Sequence, residues 1–511
     1  MGFEETYLAF LNRLPSVSSP IQRITFRGKL KWTGLVLILY FILAQIPAYG
    51  IDPRGYEHFR FLEILLGSRF GSIMSLGIGP IVTASIILQL LVGSKIIPWD
   101  LSSSSGKALF QGSQKFLGMV FAFVEAGAYV LFGAVPAASA DLIPIVIGQI
   151  ALGGILVIYM DELISKWGFG SGISLFIVAG VSKTIIVRTL NPLSQAGTVP
   201  TLANPPAGIV PSMIILIGSG EFVNALFTFL PVIATIIVFV LVVYANAIKV
   251  EIPLAFGSVR GFGRRWPLKF FYTSNIPVIL TAALLANINL MSRTLSQAGN
   301  SLMGTFDSQG NPTGGLAFFL TPPNNPGIQS LMVIISVFVL LAVLVAYLTK
   351  RNALKLGLGF AVAGGFAWYL GNVSLGLTGL VSINPADMAR MFTYLGFLVG
   401  GSTLFSVFWV TTAGMDARAV AEQIQSIGMQ IPGYRRDPRI IQNVLNRYIP
   451  ALAMLGGASV GALAAFADFT GALGTGTGIL LATMIVYSLY EELVSQHLED
   501  MHPAIRKMLG K

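Results

Sequence analysis

Chemistry in this chain would have to start from four acids. Glu125 lies in the middle of a long apolar run, and Asp161, Glu162 and Asp468 sit at the ends of others. Acids inside lipid-solvated segments are costly, and several converging at mid-depth mark an ion or proton path. One central acid with three near run ends is thin support for an ion-coupled secondary solute transporter, though these residues alone leave that class open. His58, His497 and His502 fall in loops or tails with no second ligand at metal spacing, and the chain has no cysteine. The stretch Gly471-Ala472-Leu473-Gly474-Thr475-Gly476-Thr477-Gly478 resembles a phosphate loop only superficially. It lacks the Lys-Ser/Thr ending and opens an apolar run instead of following a strand. No nucleophile, base and orienting group assemble into a catalytic set. The residues speak against an enzyme and imply no cofactor and no metal.

Arginine carries the other available chemistry. Residues 249–271 hold Arg260, Arg264, Arg265 and Lys269, and residues 413–447 hold Arg435, Arg436 and Arg439 within Tyr434-Arg435-Arg436-Asp437-Pro438-Arg439. Clustered guanidinium groups suit bidentate contact with phosphate. Charge that sets membrane topology, or that meets lipid head groups, explains the same clusters. Both readings stand at this point.

The elements that position these residues are set by composition. Of 511 residues, 54% are hydrophobic and only 11% charged, against about 25% charged in a soluble domain. Such a chain cannot coat itself for water. Apolar runs long enough to cross a bilayer as helices are predicted near 32–48, 77–94, 116–135, 142–161, 171–187, 227–248, 273–290, 330–348, 356–372, 391–412, 448–466 and 473–492. The first follows a charged segment and ends in Gln45-Ile46-Pro47, unlike a cleaved signal peptide. With the N-terminus inside, most of the 32 lysines and arginines fall in inner segments, so the formal charge of +10 reads as a positive-inside bias. The Pro-, Gly-, Asn- and Ser-rich outer segments 188–226 and 291–329 read as loops.

Between the first two spans, Phe61-Leu62-Glu63-Ile64-Leu65-Leu66-Gly67-Ser68-Arg69-Phe70 is apolar and helix-like but too short to cross. A re-entrant piece survives only where protein or a water-filled cavity satisfies its ends, which hints at a pore with something seated in it. A five-plus-five inverted division fits the span order, although the order does not demand it.

Three stretches carry a resemblance. They are Gly77-Ile78-Gly79-Pro80-Ile81-Val82-Thr83-Ala84-Ser85-Ile86-Ile87-Leu88-Gln89-Leu90, the run from Asp161 to Ile177 (DELISKWGFGSGISLFI), and Gly428-Met429-Gln430-Ile431-Pro432-Gly433-Tyr434 with the arginines after it. They resemble the SecY family of protein-translocation channels, in its archaeal type. Ser274-Asn275-Ile276-Pro277-Val278-Ile279-Leu280, Ala467–Gly478 and His502–Lys507 match too, so the resemblance runs almost end to end.

The resemblance implies an all-α polytopic transmembrane helix bundle of about ten core spans in two inverted five-span halves, 1–190 and 191–511. Relative to that pattern the chain has an inserted pair of spans near 328–380, of no assigned role. It further implies a pore ring of Val82, Ile86, Ile173, Ile177, Ile279 and Leu481. A narrow aliphatic throat disfavours water and ions and offers a threaded chain no sticky polar contact. Val82 with Ile86, and Ile173 with Ile177, are spaced to share a helix face. The family's plug matches the segment near 60–72, with Phe61, Leu62, Ile64, Leu65, Leu66, Gly67 and Phe70. Glu125, Asn287 and, more weakly, Gln89 match polar positions at a lateral gate through which signal sequences leave for the lipid. Arg260, Arg264, Arg265, Arg435, Arg436 and Arg439 match ribosome-docking loops that meet RNA phosphate. The implied partners are the ribosome, nascent polypeptides with their signal sequences, membrane lipid, and small SecE-like and SecG/β-like subunits in a heterotrimer. The implied location is the cell membrane, with both termini cytoplasmic.

Overall fold

A computed structural model describes residues 3–22, 24–52, 71–101, 103–131, 135–194, 199–200, 205–256, 263–297, 301–307, 311–350, 352–374, 384–426, 429–430 and 438–501. In chain order the elements are helices α1 (Phe3–Leu11), α2 (Phe26–Leu43), α3 (Gly79–Gly93), α4 (Ser104–Leu131), α5 (Ile143–Trp167), α6 (Gly172–Leu190), α7 (Ile209–Gly218) and α8 (Phe222–Ala247). Strands β1 (Lys249–Phe256) and β2 (Gly263–Lys269) precede α9 (Ile276–Gln297). After short strands β3 (Thr305–Phe306) and β4 (Pro312–Gly314) come α10 (Gly315–Phe319), α11 (Pro326–Thr349), α12 (Ala353–Ser374), α13 (Pro385–Thr412) and α14 (Ala417–Ser426). Strand β5 (Met429–Gln430), α15 (Pro438–Phe469) and α16 (Gly476–Met501) close the described chain.

Each of the twelve predicted runs falls on a helix, and ten of those helices are long and apolar enough to cross a membrane. The other two are α2 and α3. Arg27, Lys29 and Lys31 occupy the first turns of α2 and shorten its apolar length. Helix α3 has 15 residues, or about 22 Å at 1.5 Å per residue, short of the ~30 Å hydrocarbon core. Most of its residues are buried within the protein. Protein therefore solvates this short helix and satisfies its ends, which lipid could not.

The helices surround one apolar cluster to which α2, α3, α5, α6, α8, α9, α13, α15 and α16 all contribute. Helix α3 lies between α4 and α9, and α9 lies against α13. Helix α11 adds Val333 to the same cluster. Helix α12 leans on α11, with Gly364 against Phe338, and Trp368 Nε1 donates to Ser330 Oγ at 3.0 Å. Helix α11 meets α8 and α15.

Two departures from expectation concern the loops. Segment 188–226 contains α7, whose Ile214 and Ile217 are exposed; a largely apolar helix of ten residues cannot span but can lie in the interface. Segment 291–329 folds into the β3–β4 pair and α10. It is held by Arg390 of α13, which donates to Thr321 O and Pro322 O and lies over the Phe318 ring.

The basic segments also order one another. Strand β1 pairs antiparallel with β2, from Lys249↔Lys269 to Ala255↔Gly263, and with β5 through Ala255↔Gln430 and Phe256↔Met429. A single three-stranded sheet thus joins segments 249–271 and 413–447. Lys269 and Lys249 both approach Glu491 of α16, fixing the sheet to the bundle. Tyr272 Oη donates to Met415 O at 2.7 Å; burial, then the Asp416 charge, pushes its phenol up to about 12.

Candidate pore and gate

The six aliphatic side chains singled out in the sequence come from four helices: Val82 and Ile86 from α3, Ile173 and Ile177 from α6, Ile279 from α9 and Leu481 from α16. All six belong to the central apolar cluster, five buried and Ile173 half-buried against it. Ile78 belongs to the same cluster, is 1% exposed, and precedes Val82 by one turn. The i,i+4 rule that paired Val82 with Ile86 extends equally to Ile78, which sequence reasoning passed over because it sits on the cap of α3, outside the helix proper.

Two ring helices start in the same way. Asp161, on α5, accepts from Ile173 N at 3.0 Å and Ser171 Oγ at 3.2 Å, capping α6. Asp468, on α15, accepts from Thr477 N at 3.0 Å and from the Thr477 hydroxyl, capping α16, and also from Tyr394 Oη at 2.7 Å. A carboxylate at a helix N-terminus satisfies orphan N–H groups and complements the macrodipole. In each case the first helical residue is glycine: a Cβ on Gly172 would lie 2.6 Å from Asp161 Cα, and one on Gly476 would lie 1.8 Å from the Ala467 carbonyl carbon. The preceding turns use Gly170 (φ 65°) and Gly474 (φ 78°). These contacts set the depth of Ile173 and Leu481.

The polar set at the α3–α9 seam is organised by a residue not singled out beforehand. Thr83 Oγ1 donates to Glu125 Oε1 at 2.7 Å and accepts from Asn287 Nδ2 at 3.2 Å. The signal available was helical position: Thr83 follows the ring residue Val82 by about 100°, on the neighbouring face. Nearby, Ala282 and Ala286 of α9 share an apolar cluster with Ala122 and Ala126 of α4, together with larger side chains such as Leu76 and Tyr129. Gln89 is not part of this set. It lies two turns beyond Val82 on the ring face, 2% exposed, and its Oε1 has no hydrogen-bond partner.

Cavities lie on either side of this level of the bundle. One of about 480 Å³, toward the sheet side, is lined by Val82, Ile173 and Ile279 together with Ser85, Gln89, Gln114 and Trp409. One of about 450 Å³, on the opposite side, is lined by Arg188, Arg293, Asn289 and Gly471–Ala472. Of the arginines matched to docking loops in the sequence, Arg264 and Arg265 stand on β2, and Arg439 is exposed in the first turn of α15. Arg260, Arg435 and Arg436, and the plug residues Phe61, Leu62, Ile64, Leu65, Leu66, Gly67 and Phe70, lie outside the described residues.

Comparison with known proteins gives this geometry its relatives. The SecY family model matches residues 72–490, and that of the plug domain of Sec61p matches residues 38–71. The chain is 42% identical to the protein translocase subunit SecY of Methanothermobacter thermautotrophicus, covering 99% of each. It superposes on a solved protein-conducting channel with a TM-score of 0.76 at 39% identity, over 97% of this chain and 98% of the other. It superposes on Sec61 of the canine ribosome–channel complex from the endoplasmic reticulum with a TM-score of 0.73, also at 39% identity and the same coverage.

Proposed function

The chain belongs to the SecY family of protein-translocation channels, and from that premise we propose how its residues divide the work of conducting polypeptides. It is a multi-span membrane protein whose matched relatives are protein-conducting channels, not enzymes; the solute-transporter alternative has no support among them. The observation that carries the proposal is the convergence of aliphatic side chains from α3, α6, α9 and α16 between two cavities. Val82, Ile86, Ile173, Ile177, Ile279 and Leu481 form the ring, shut by apolar contact and able to part around a chain without binding it. The segment near 60–72 serves as the plug.

The seam between α3 and α9 is the lateral exit. Thr83, Glu125 and Asn287 latch it, and a hydrophobic signal helix entering the seam shifts the population toward the open form. The division at residue 190 into two inverted halves is supported by the repeated Asp–Gly helix starts at Asp161–Gly172 and Asp468–Gly476.

The sheet side faces the cytoplasm, with both termini there, in the cell membrane. The arginines of the two joined basic segments bind ribosomal RNA phosphate; Sec61, at 39% identity, occurs in a ribosome–channel complex. Small SecE-like and SecG/β-like subunits complete a heterotrimer. The chain's lack of cysteine provides the test. With Ile279→Cys in the reconstituted channel, a stalled secretory chain bearing one cysteine forms a disulfide, whereas the exposed position Ile38→Cys on α2 gives none. Equal yields at both positions, or none at Ile279→Cys with the chain engaged, would overturn the ring assignment.

A further inference from the structure

The side of the ring facing the β-sheet is unlike the ring itself. Gln89 of α3 and Asn275, the residue before α9, are 2% and 7% exposed. Gln89 Oε1, an acceptor, and Asn275 Nδ2, a donor, have no hydrogen-bond partner. Each lines a cavity, Gln89 the one of about 480 Å³ and Asn275 one of about 200 Å³. The two cavities share Ser171, Ser174 and Ile276, so they meet at the start of α6. Helix geometry fixes the level. Gln89 follows Val82 by seven residues, about 10 Å along α3 on the same face, and Asn275 precedes Ile279 by four, about 6 Å.

Asn275 Oδ1 accepts from Ser274 Oγ at 3.2 Å, but a buried carboxamide with even one atom unpartnered costs stability, and native proteins rarely keep two without a reason. A polypeptide about to enter an aliphatic throat has the complementary need. Its backbone must give up water, and the ring offers it neither donor nor acceptor. A carboxamide matches a peptide group whatever side chains the polypeptide carries: its oxygen accepts from N–H, and its NH₂ donates to C=O. We propose that Gln89 and Asn275 form a backbone clasp beneath the ring, binding peptide groups of the entering chain as they desolvate. The proposal rests on the channel reading above. It adds that entry is helped by sequence-independent hydrogen bonds, with Gln89 taking an N–H and Asn275 giving to a carbonyl. Ser85 Oγ, which accepts from Gln114 Nε2, stands one turn above Gln89 on the same face but is already partnered, so it does not substitute for Gln89.

The test deletes single N–H groups from the chain. A stalled secretory chain with one cysteine is presented to the reconstituted Ile279→Cys channel, and one amide at a time is replaced by an ester along the residues on its entry side. About 10 Å corresponds to about three extended residues. Disulfide yield is expected to fall at least threefold when the ester lies near that register, and to be unaffected elsewhere. In Gln89→Met with Ile279→Cys the dip should vanish, because methionine keeps the volume without the acceptor. A flat profile on the channel with Gln89 intact overturns the clasp and leaves ordered water as the occupant, and this scan decides even if Gln89→Met does not assemble. A dip that persists undiminished in Gln89→Met overturns the role of Gln89. Absence of any disulfide with the all-amide chain engaged overturns the ring assignment on which the clasp rests, and the clasp with it; a disulfide with a flat profile overturns the clasp alone.

Discussion

Glu125 and Asn287 meet only through a shared hydroxyl: Thr83 Oγ1 lies 2.7 Å from Glu125 Oε1 and 3.2 Å from Asn287 Nδ2. Three helices, α4, α3 and α9, are tied by this one oxygen. Ala282 and Ala286 of α9 share an apolar cluster with Ala122 and Ala126 of α4, small side chains that bury little area. A polar contact in such a place is worth about 1–2 kcal/mol, enough to bias the seam without locking it.

Thr83→Val keeps the side-chain volume and removes both hydrogen bonds. The shut form should lose about 1–2 kcal/mol relative to the open one, a factor of about 5–30 in the ratio of the two. Ion conductance of reconstituted channels should rise accordingly, and weak signal sequences should be accepted more readily. Asn287→Leu should act in the same direction, and the double variant should be less than additive because the two share one contact. Unchanged conductance and unchanged signal dependence in Thr83→Val would remove the latch from the account.

Asp468 accepts from a backbone N–H and two hydroxyls while fully inside the protein. In Asp468→Ala, Tyr394 Oη and Thr477 N would lose their partner, so stability should fall by about 3 kcal/mol, at the upper end for hydrogen bonds to a charged group. Thr477→Val removes one of the three donors and should cost about 1 kcal/mol. Thermal unfolding in detergent measures both. A smaller loss in Asp468→Ala than in Thr477→Val would mean that the carboxylate does not organise the start of α16.

The parts of this arrangement legible in the sequence were those written as uninterrupted runs. The apolar stretches announced the helices, and the aliphatic spacings in Val82–Ile86 and Ile173–Ile177 announced shared faces. What escaped was relational. Thr83 is an ordinary helix residue until α9 brings Asn287 beside it. The pairing of Ala255 with Gln430 joins segments 175 residues apart, and no local pattern in either predicts it. The match of Gly172 with Gly476 depends on how closely Asp161 and Ala467 approach, which is packing, not propensity. Helix α7 was missed because Pro211 and the flanking glycines read as loop, although Pro at a helix's third position is tolerated.

Ile78 and Ile86 lie one turn to either side of Val82, so the height of the ring on α3 can be measured. A ring one turn deep takes one of them as a second member. With a stalled chain, Ile78→Cys and Ile86→Cys should give unequal disulfide yields, the higher marking the turn that closes with Ile279. Equal yields would mean a throat at least two turns of α3 tall, about 12 Å from Ile78 to Ile86 at 1.5 Å per residue.

Salt dependence reports whether the two basic segments act as one surface. Arg264 and Arg265 stand on β2, which β1 joins to β5 of the other basic segment, and Arg439 begins α15 just beyond it. Held together in this way, the two segments should bind phosphate as one surface. Each neutralised phosphate contributes about 0.7–0.9 to the slope of log affinity against log salt. Arg264→Gln with Arg265→Gln should therefore weaken ribosome binding and reduce the slope by about 1.4–1.8. If the sheet unites the segments, adding Arg439→Gln should reduce the slope by roughly one contact more. An unchanged slope in the triple variant, with the ribosome still bound, would move the docking surface away from the sheet. The arginines would then be left with topology and lipid head groups as their work.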